Sequence, residues 1–199
     1  MGRRKRGDLM AGNDKIRTFI AMEIPASIQT AIEGEITSKL RRCNVRCSWV
    51  KADNIHLTLK FLGDTPADRI EAIADDIAFV IEGIAPLNLR LDGVGTFGGK
   101  SPRVVWAGIS GETEALELIA RTIDNAMLKH GFPHEKRRFS PHLTVGRIRN
   151  PRGADELIEK INRLEIEPID FTADKIIFMK SELTPHGSIY TPMREFSLK

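Results

Sequence analysis

Cysteine is scarce in this 199-residue chain. There are two, Cys43 and Cys47, too few for a disulfide framework. Long apolar runs are missing as well: none approaches the roughly 18 residues that would span a bilayer. Nothing resembles a secretory leader, because the charged N-terminus has no apolar segment behind it. These absences point to a soluble protein of a reducing compartment, the cytoplasm. Aromatic residues make up only 6%, which disfavours a sheet that reads nucleic acid by stacking many bases. The body also lacks an excess charge of either sign. Arg3, Arg4, Lys5 and Arg6 stand against Asp8, and the other 191 residues hold 26 basic and 26 acidic side chains. A protein so balanced is no general polyanion binder; it would meet a polyanion through a few placed groups. Residues 1–14 read as a basic, disordered tail, with Met10 as a second candidate start.

What remains is enough apolar material for a real core, 41% of residues, and an alternation of strand-like and helix-like segments. Residues 16–22 read as a strand. Pro25 opens a helix to Leu40, with Ile28, Ile32, Ile36 and Leu40 in one stripe. Residues 48–50 are short and extended. A strand over 55–62 stops at Gly63-Asp64, and a second helix follows Pro66 with Ile70, Ile73, Ile77 and Ile81 on one face. Leu87, Leu89 and Leu91 alternate like a half-buried strand, and 93–102 reads as a turn-rich stretch. The pattern then recurs as a strand (103–109), a helix (112–130), a strand (142–148) and a helix (154–164). Strands around 175–179 and 189–196 close the chain. Mixed elements with short links make an α+β protein.

One short phrase occurs twice. His56-Leu57-Thr58-Leu59 and His142-Leu143-Thr144-Val145 lie in strands of matching context, 86 residues apart. Side chains alternate faces along a strand. His56, Thr58 and Lys60 would therefore share one face, with Ile55, Leu57, Leu59 and Phe61 on the core face. His142 and Thr144 pair in the same way. A lone strand histidine is commonplace; two identical imidazole–hydroxyl pairs point to function. In-line displacement at phosphorus needs a base on one side and an acid on the other. Histidine can be either near neutral pH. The threonine hydroxyls suit the non-bridging oxygens, and Arg147 or Lys60 suits the charge that builds there.

The chain resembles the two-histidine phosphoesterase superfamily, and within it the RNA 2′,3′-cyclic phosphodiesterases, also called 2′-5′ RNA ligases. The resemblance rests on 54–63 (NIHLTLKFLG) and 140–147 (SPHLTVGR), with support from 103–108 (RVVWAG) and 181–183 (SEL). It runs from Ile16 to the C-terminus and leaves out the basic tail. It implies a bilobal, pseudo-twofold α+β domain over 15–199, with two antiparallel sheets flanking a cleft and helices outside. The lobes would cover roughly 15–95 and 96–199, with exchange of strands between them allowed. It implies His56 as proton donor to the leaving 3′ oxygen and His142 as proton acceptor from water, with Thr58, Thr144 and Arg147 on the phosphate. The product would be a 2′-phosphomonoester end, and ligation the same exchange with an RNA 5′-hydroxyl in place of water. Neither a metal, a cofactor nor a nucleotide triphosphate is implied. The partner would be RNA, tRNA-type fragments included, that ends in a cyclic phosphate, with no membrane and no obligatory protein partner.

Parity leaves Arg147 on the wrong face unless Gly146 permits a bulge. Phe61 is expected in the core. Residues 93–98 fit G-x-G-x-x-G but precede a strand, so they read as a turn and not a dinucleotide loop. Lys100 lies in a weak echo of a phosphate-binding loop, again with no helix after it. Cys43, Cys47, His130 and His134 are too far apart in pairs for a zinc finger, and His186 reads as a loop residue. Two other functions fit the motifs: a phosphodiesterase acting on another small cyclic phosphate, and a non-catalytic module that binds RNA ends.

Overall fold

The computed structural model describes residues 14–99, 101–150, 153–185 and 187–199. The basic segment before residue 14, Lys100 and His186 lie outside the described residues. Nine strands are present among them: β1 (Lys15–Met22), β2 (Cys47–Trp49), β3 (Leu57–Pro66), β4 (Leu87–Phe97), β5 (Val104–Gly111), β6 (His142–Ile148), β7 (Ile169–Ala173), β8 (Lys175–Thr184) and β9 (Gly187–Ser197). They form two antiparallel sheets, ordered β3-β1-β8-β9 and β2-β6-β5-β4-β7. The α+β architecture with two antiparallel sheets is therefore observed.

The chain order explains the pseudo-symmetry. Helix α1 (residues 26–40) and the short β2 lie between β1 and β3, and helix α3 (Thr113–Met127) joins β5 to β6. Helix α2 (Ile70–Val80) carries the chain from β3 to β4, which pairs with β5 in the other sheet. Helix α4 (Ala154–Asn162) leads through β7 to β8, which pairs with β1 in the first sheet. Each half thus gives two strands to its partner's sheet, β2 and β4 from the first and β8 and β9 from the second, and the crossing ties the lobes together.

Helix α1 runs through Ala26–Ala31, a π-helical stretch Ile32–Thr37, and Ser38–Leu40. Its stripe of Ile28, Ile32, Ile36 and Leu40 is almost wholly buried. A strict four-residue repeat drifts by roughly 40° per step around an α-helix of 3.6 residues per turn. The wider π turns offset that drift and keep all four side chains on the core. The stripes of α2 (Ile73, Ile77) and α3 (Leu116, Ile119, Ile123, Met127) are buried in the same continuous core.

Three boundaries differ from those expected. Strand β3 runs past Gly63 to Pro66, because β1 begins at Lys15 and supplies partners for that length. Strand β4 continues through the glycines to Phe97 after a shift in register between Leu91 and Val94. Gly95 is there because the Trp106 indole lies across it; a Cβ would meet the ring at 2.3 Å. Strand β7, edge partner of β4, had no alternating signal in 169–173 strong enough to be read.

Candidate active site

Strands β3 and β6 pack against each other where the two sheets meet. Each opens on a motif histidine: His56 immediately precedes β3 and His142 is the first residue of β6.

Both imidazoles are held alike. His56 Nδ1 lies 2.8 Å from the Asn54 carbonyl oxygen, and His142 Nδ1 lies 2.7 Å from that of Ser140. A carbonyl only accepts, so Nδ1–H is the donor in both rings. Nε2 is left without a protein partner among the described residues. Aromatic rings fix the planes. Phe19 stacks on His56 with centroids 4.7 Å apart, and Tyr190 meets the His56 edge at 5.1 Å. Phe97 makes a T-shaped contact with His142 at 4.9 Å. Asn54 is anchored in turn by its Nδ2, which donates to the Ser188 carbonyl at 2.9 Å.

A bulge in each motif strand decides which other side chains share the cleft. Along β5, Val104, Trp106 and Gly108 lie on one face, and their partners are Arg147, Thr144 and His142. Val145 is skipped, so Arg147 returns to the face of the histidine and threonine. Gly146 allows this: a Cβ there would meet Cys47 Sγ at 2.7 Å and the Trp49 ring at 2.9 Å. The condition that strand parity set for Arg147 is met.

The same device operates on β3, three residues after its histidine. Ala21 pairs with Thr58, Ile20 with Lys60 and Phe19 with Phe61, and Leu59 is skipped. Phe61 therefore stands on the Thr58 face, 44% exposed and capped by the Arg17 guanidinium 4.5 Å from its centroid. Lys60 is turned inward and only 2% exposed. Both expectations for these two residues are thus corrected, and for one reason: a bulge inverts the alternation beyond it. Lys60 Nζ donates to Asp124 Oδ1 (2.5 Å) and to the Pro133 carbonyl (2.9 Å), which satisfies a buried ammonium.

The groups act on one another across the cleft. Burial pushes the His56 pKa down to about 4, and the nearby charges of Arg147 and His142 oppose its protonation further. Unliganded His56 is therefore neutral at pH 7. Thr58 and His142 line one cavity of about 650 Å³, together with Phe97, Arg138 and Phe139. Among the described residues neither Thr58 nor Thr144 spends its hydroxyl on a protein partner.

The other candidates disperse. Cys43 is buried, and burial pushes the Cys47 thiol up to about 11. His130 bonds Asp76 and His134 bonds Asp124. Among the described residues no cluster of three or more histidine, cysteine or carboxylate side chains is placed to hold a metal. The G-x-G-x-x-G stretch is strand and turn. Tyr190 and Phe19 are the site residues that motif reading missed.

The sequence profile of the 2′-5′ RNA ligase superfamily matches residues 28–185. The chain belongs to this superfamily. It is 33% identical over 186 residues to the "RNA 2′,3′-cyclic phosphodiesterase" of Methanothermobacter thermautotrophicus, covering 92% of this chain and 100% of that one. It is 34% identical over 182 residues to the protein of the same name in Thermotoga maritima, covering 90% and 94%. Among solved structures, E. coli LigT complexed with 3′-AMP superposes with a TM-score of 0.74 at 24% identity, covering 94% and 99%. That likeness speaks to the fold. TT0787 of Thermus thermophilus superposes at 0.71 with 25% identity, covering 92% and 98%. For this member of the superfamily, no helix among the described residues is long and apolar enough to cross a membrane.

Proposed function

We propose that this 2′-5′ RNA ligase superfamily member hydrolyses RNA 2′,3′-cyclic phosphate ends to 2′-phosphomonoesters by metal-independent acid–base catalysis. The matched pair of imidazoles carries this reading. Each has its Nδ1–H fixed by the carbonyl two residues upstream, each has a threonine two residues on, and the charges of His142 and Arg147 reach His56. The curated relatives bear the name of this activity.

In this mechanism His142 Nε2 takes a proton from the attacking water. The new P–O bond forms opposite the bond to the 3′ oxygen, and that oxygen leaves with a proton from His56 Nε2. Arg147 and the Thr58 and Thr144 hydroxyls donate to the non-bridging oxygens, where charge accumulates. His56 on its own is neutral at pH 7, so it must take up a proton from solvent as substrate binds. The phosphodiester anion drives this electrostatically: placed between His56 and Arg147, it offsets the positive charges that oppose protonation and favours the imidazolium. An RNA 5′-hydroxyl in the place of water gives 2′-5′ ligation without a nucleotide triphosphate. The reaction belongs to RNA processing in the cytoplasm and needs no protein partner.

The test is incubation with a short RNA ending in a 2′,3′-cyclic phosphate. A 2′-phosphate product, formed in EDTA as fast as without it, is expected. A 3′-phosphate product would overturn the assignment of the leaving oxygen. An intact RNA end alongside turnover of another cyclic phosphate would move the activity to a different substrate class.

A further inference from the structure

The cations around the cleft fall into two groups. On the side of the 650 Å³ cavity most are neutralised: Arg138 bonds both oxygens of Glu117 at 3.2 Å, and Lys60 and His134 share Asp124, while Arg121 and Arg137 line it without an ion pair among the described residues. On the side toward which β6 runs, none is neutralised. Arg147 and Arg149 follow each other along the end of β6. Ser48 of β2 pairs with Arg147, and Arg149 Nε donates to Ser48 Oγ at 2.8 Å, so all three side chains lie on the cleft face. Arg46, two residues before Ser48, accepts the Arg149 backbone N–H on its carbonyl at 2.8 Å and is exposed. Among the described residues none of these three guanidinium groups has a carboxylate within 4.0 Å. Glu156, the carboxylate that touches this edge, is engaged by the Asn44 backbone N–H.

We propose that the RNA strand leading into the reacting nucleotide lies along this edge, its phosphates over Arg149 and Arg46, and not in the cavity beside Arg138. The inference rests on the phosphodiesterase reading above and adds where the rest of the substrate goes. Arg147 faces the scissile phosphate. Arg149 stands two residues further on, roughly 7 Å along an extended chain, in the direction a neighbouring phosphate would take. Its bond to Ser48 fixes the guanidinium while leaving most of its five N–H donors free. A cation held in place by a neutral hydroxyl keeps its whole charge for an anion; one held by a carboxylate does not. The track therefore makes the enzyme select a polynucleotide end over a lone cyclic nucleotide, although the body of the chain is neutral overall.

The experiment compares wild type with the Arg46→Gln/Arg149→Gln double variant on two substrates, 2′,3′-cyclic AMP and a five-nucleotide RNA ending in a cyclic phosphate. The variant is expected to raise KM for the RNA about tenfold at unchanged kcat and to leave cyclic AMP turnover as it was. Each phosphate contact contributes a salt slope of about 0.7 on single strands. The dependence of log kcat/KM on log salt should therefore become shallower by about 1.4 for the RNA alone. Equal effects on both substrates, or none on either, would overturn the track. So would an RNA-specific loss in Arg137→Gln/Arg138→Gln instead. Wild-type protein that turns over neither substrate would instead remove the phosphodiesterase reading, and the track with it.

Discussion

An imidazole that titrates near 4 in the folded protein and near 6.5 in the unfolded chain makes stability depend on pH in a calculable way. The cause is burial first; the bond to the Asn54 carbonyl works against it, and the charges of Arg147 and His142 add to it. The sign follows from proton binding. Between pH 6.5 and 4 the unfolded chain holds the proton and the folded His56 does not, so acid favours unfolding. This contribution is intact above 6.5 and is lost as pH falls toward 4. Between pH 7 and pH 5 it amounts to about 2 kcal/mol. Urea unfolding of wild type and His56→Gln at both values isolates it, because every other titrating group is common to the two. Wild type is expected to lose about 2 kcal/mol more than the variant. Titration of the His56 ring by NMR, with and without inorganic phosphate, completes the test. Phosphate should move the midpoint up toward neutrality. Equal pH dependence in wild type and variant, or a midpoint near 6.5 without phosphate, would refute the account of a desolvated imidazole that gains its proton with the substrate.

Two other substitutions separate support from chemistry. Lys60→Met should destabilise the fold by about 3 kcal/mol, because it removes the partner of a carboxylate at a buried pair; an unchanged urea midpoint would contradict this. Arg147→Gln should lower kcat about 10²-fold with stability unchanged, since its charge is needed where the phosphate gains charge. A variant that alters only KM would place Arg147 in binding alone.

Much of this site is legible before folding, and what is not has one main physical source. Simple alternation puts His56 with Thr58 and His142 with Thr144 on shared faces, and it holds there because no bulge falls within either pair. It fails just beyond, at Leu59 and at Val145. Gly146 gives the second bulge a mark in the sequence, which is why Arg147 could be placed conditionally. The first bulge has no such mark. What makes Lys60 tolerable inside is Asp124, 64 residues away, and no local pattern announces that partner. The same holds for β4, whose glycines look like a turn until Trp106 supplies the reason for Gly95. Tyr190, the only tyrosine in the chain, reaches His56 through the β8–β9 hairpin, which crosses into the first sheet from the far end of the sequence. Its uniqueness was a signal available from composition. The exchange of β2 and β4 for β8 and β9 between sheets is open to expectation as a possibility but fixed only by pairing.

The central claim is that two imidazoles serve one displacement at a single phosphorus. Single-turnover rates on a cyclic-phosphate RNA for His56→Gln, His142→Gln and the double variant test it most directly. Each single change should slow the reaction by about 10²–10⁴, and the double variant should be little slower than the slower single one, because groups that act as a unit do not lose rate multiplicatively. A wild-type rate in either single variant, or losses that simply multiply, would contradict it.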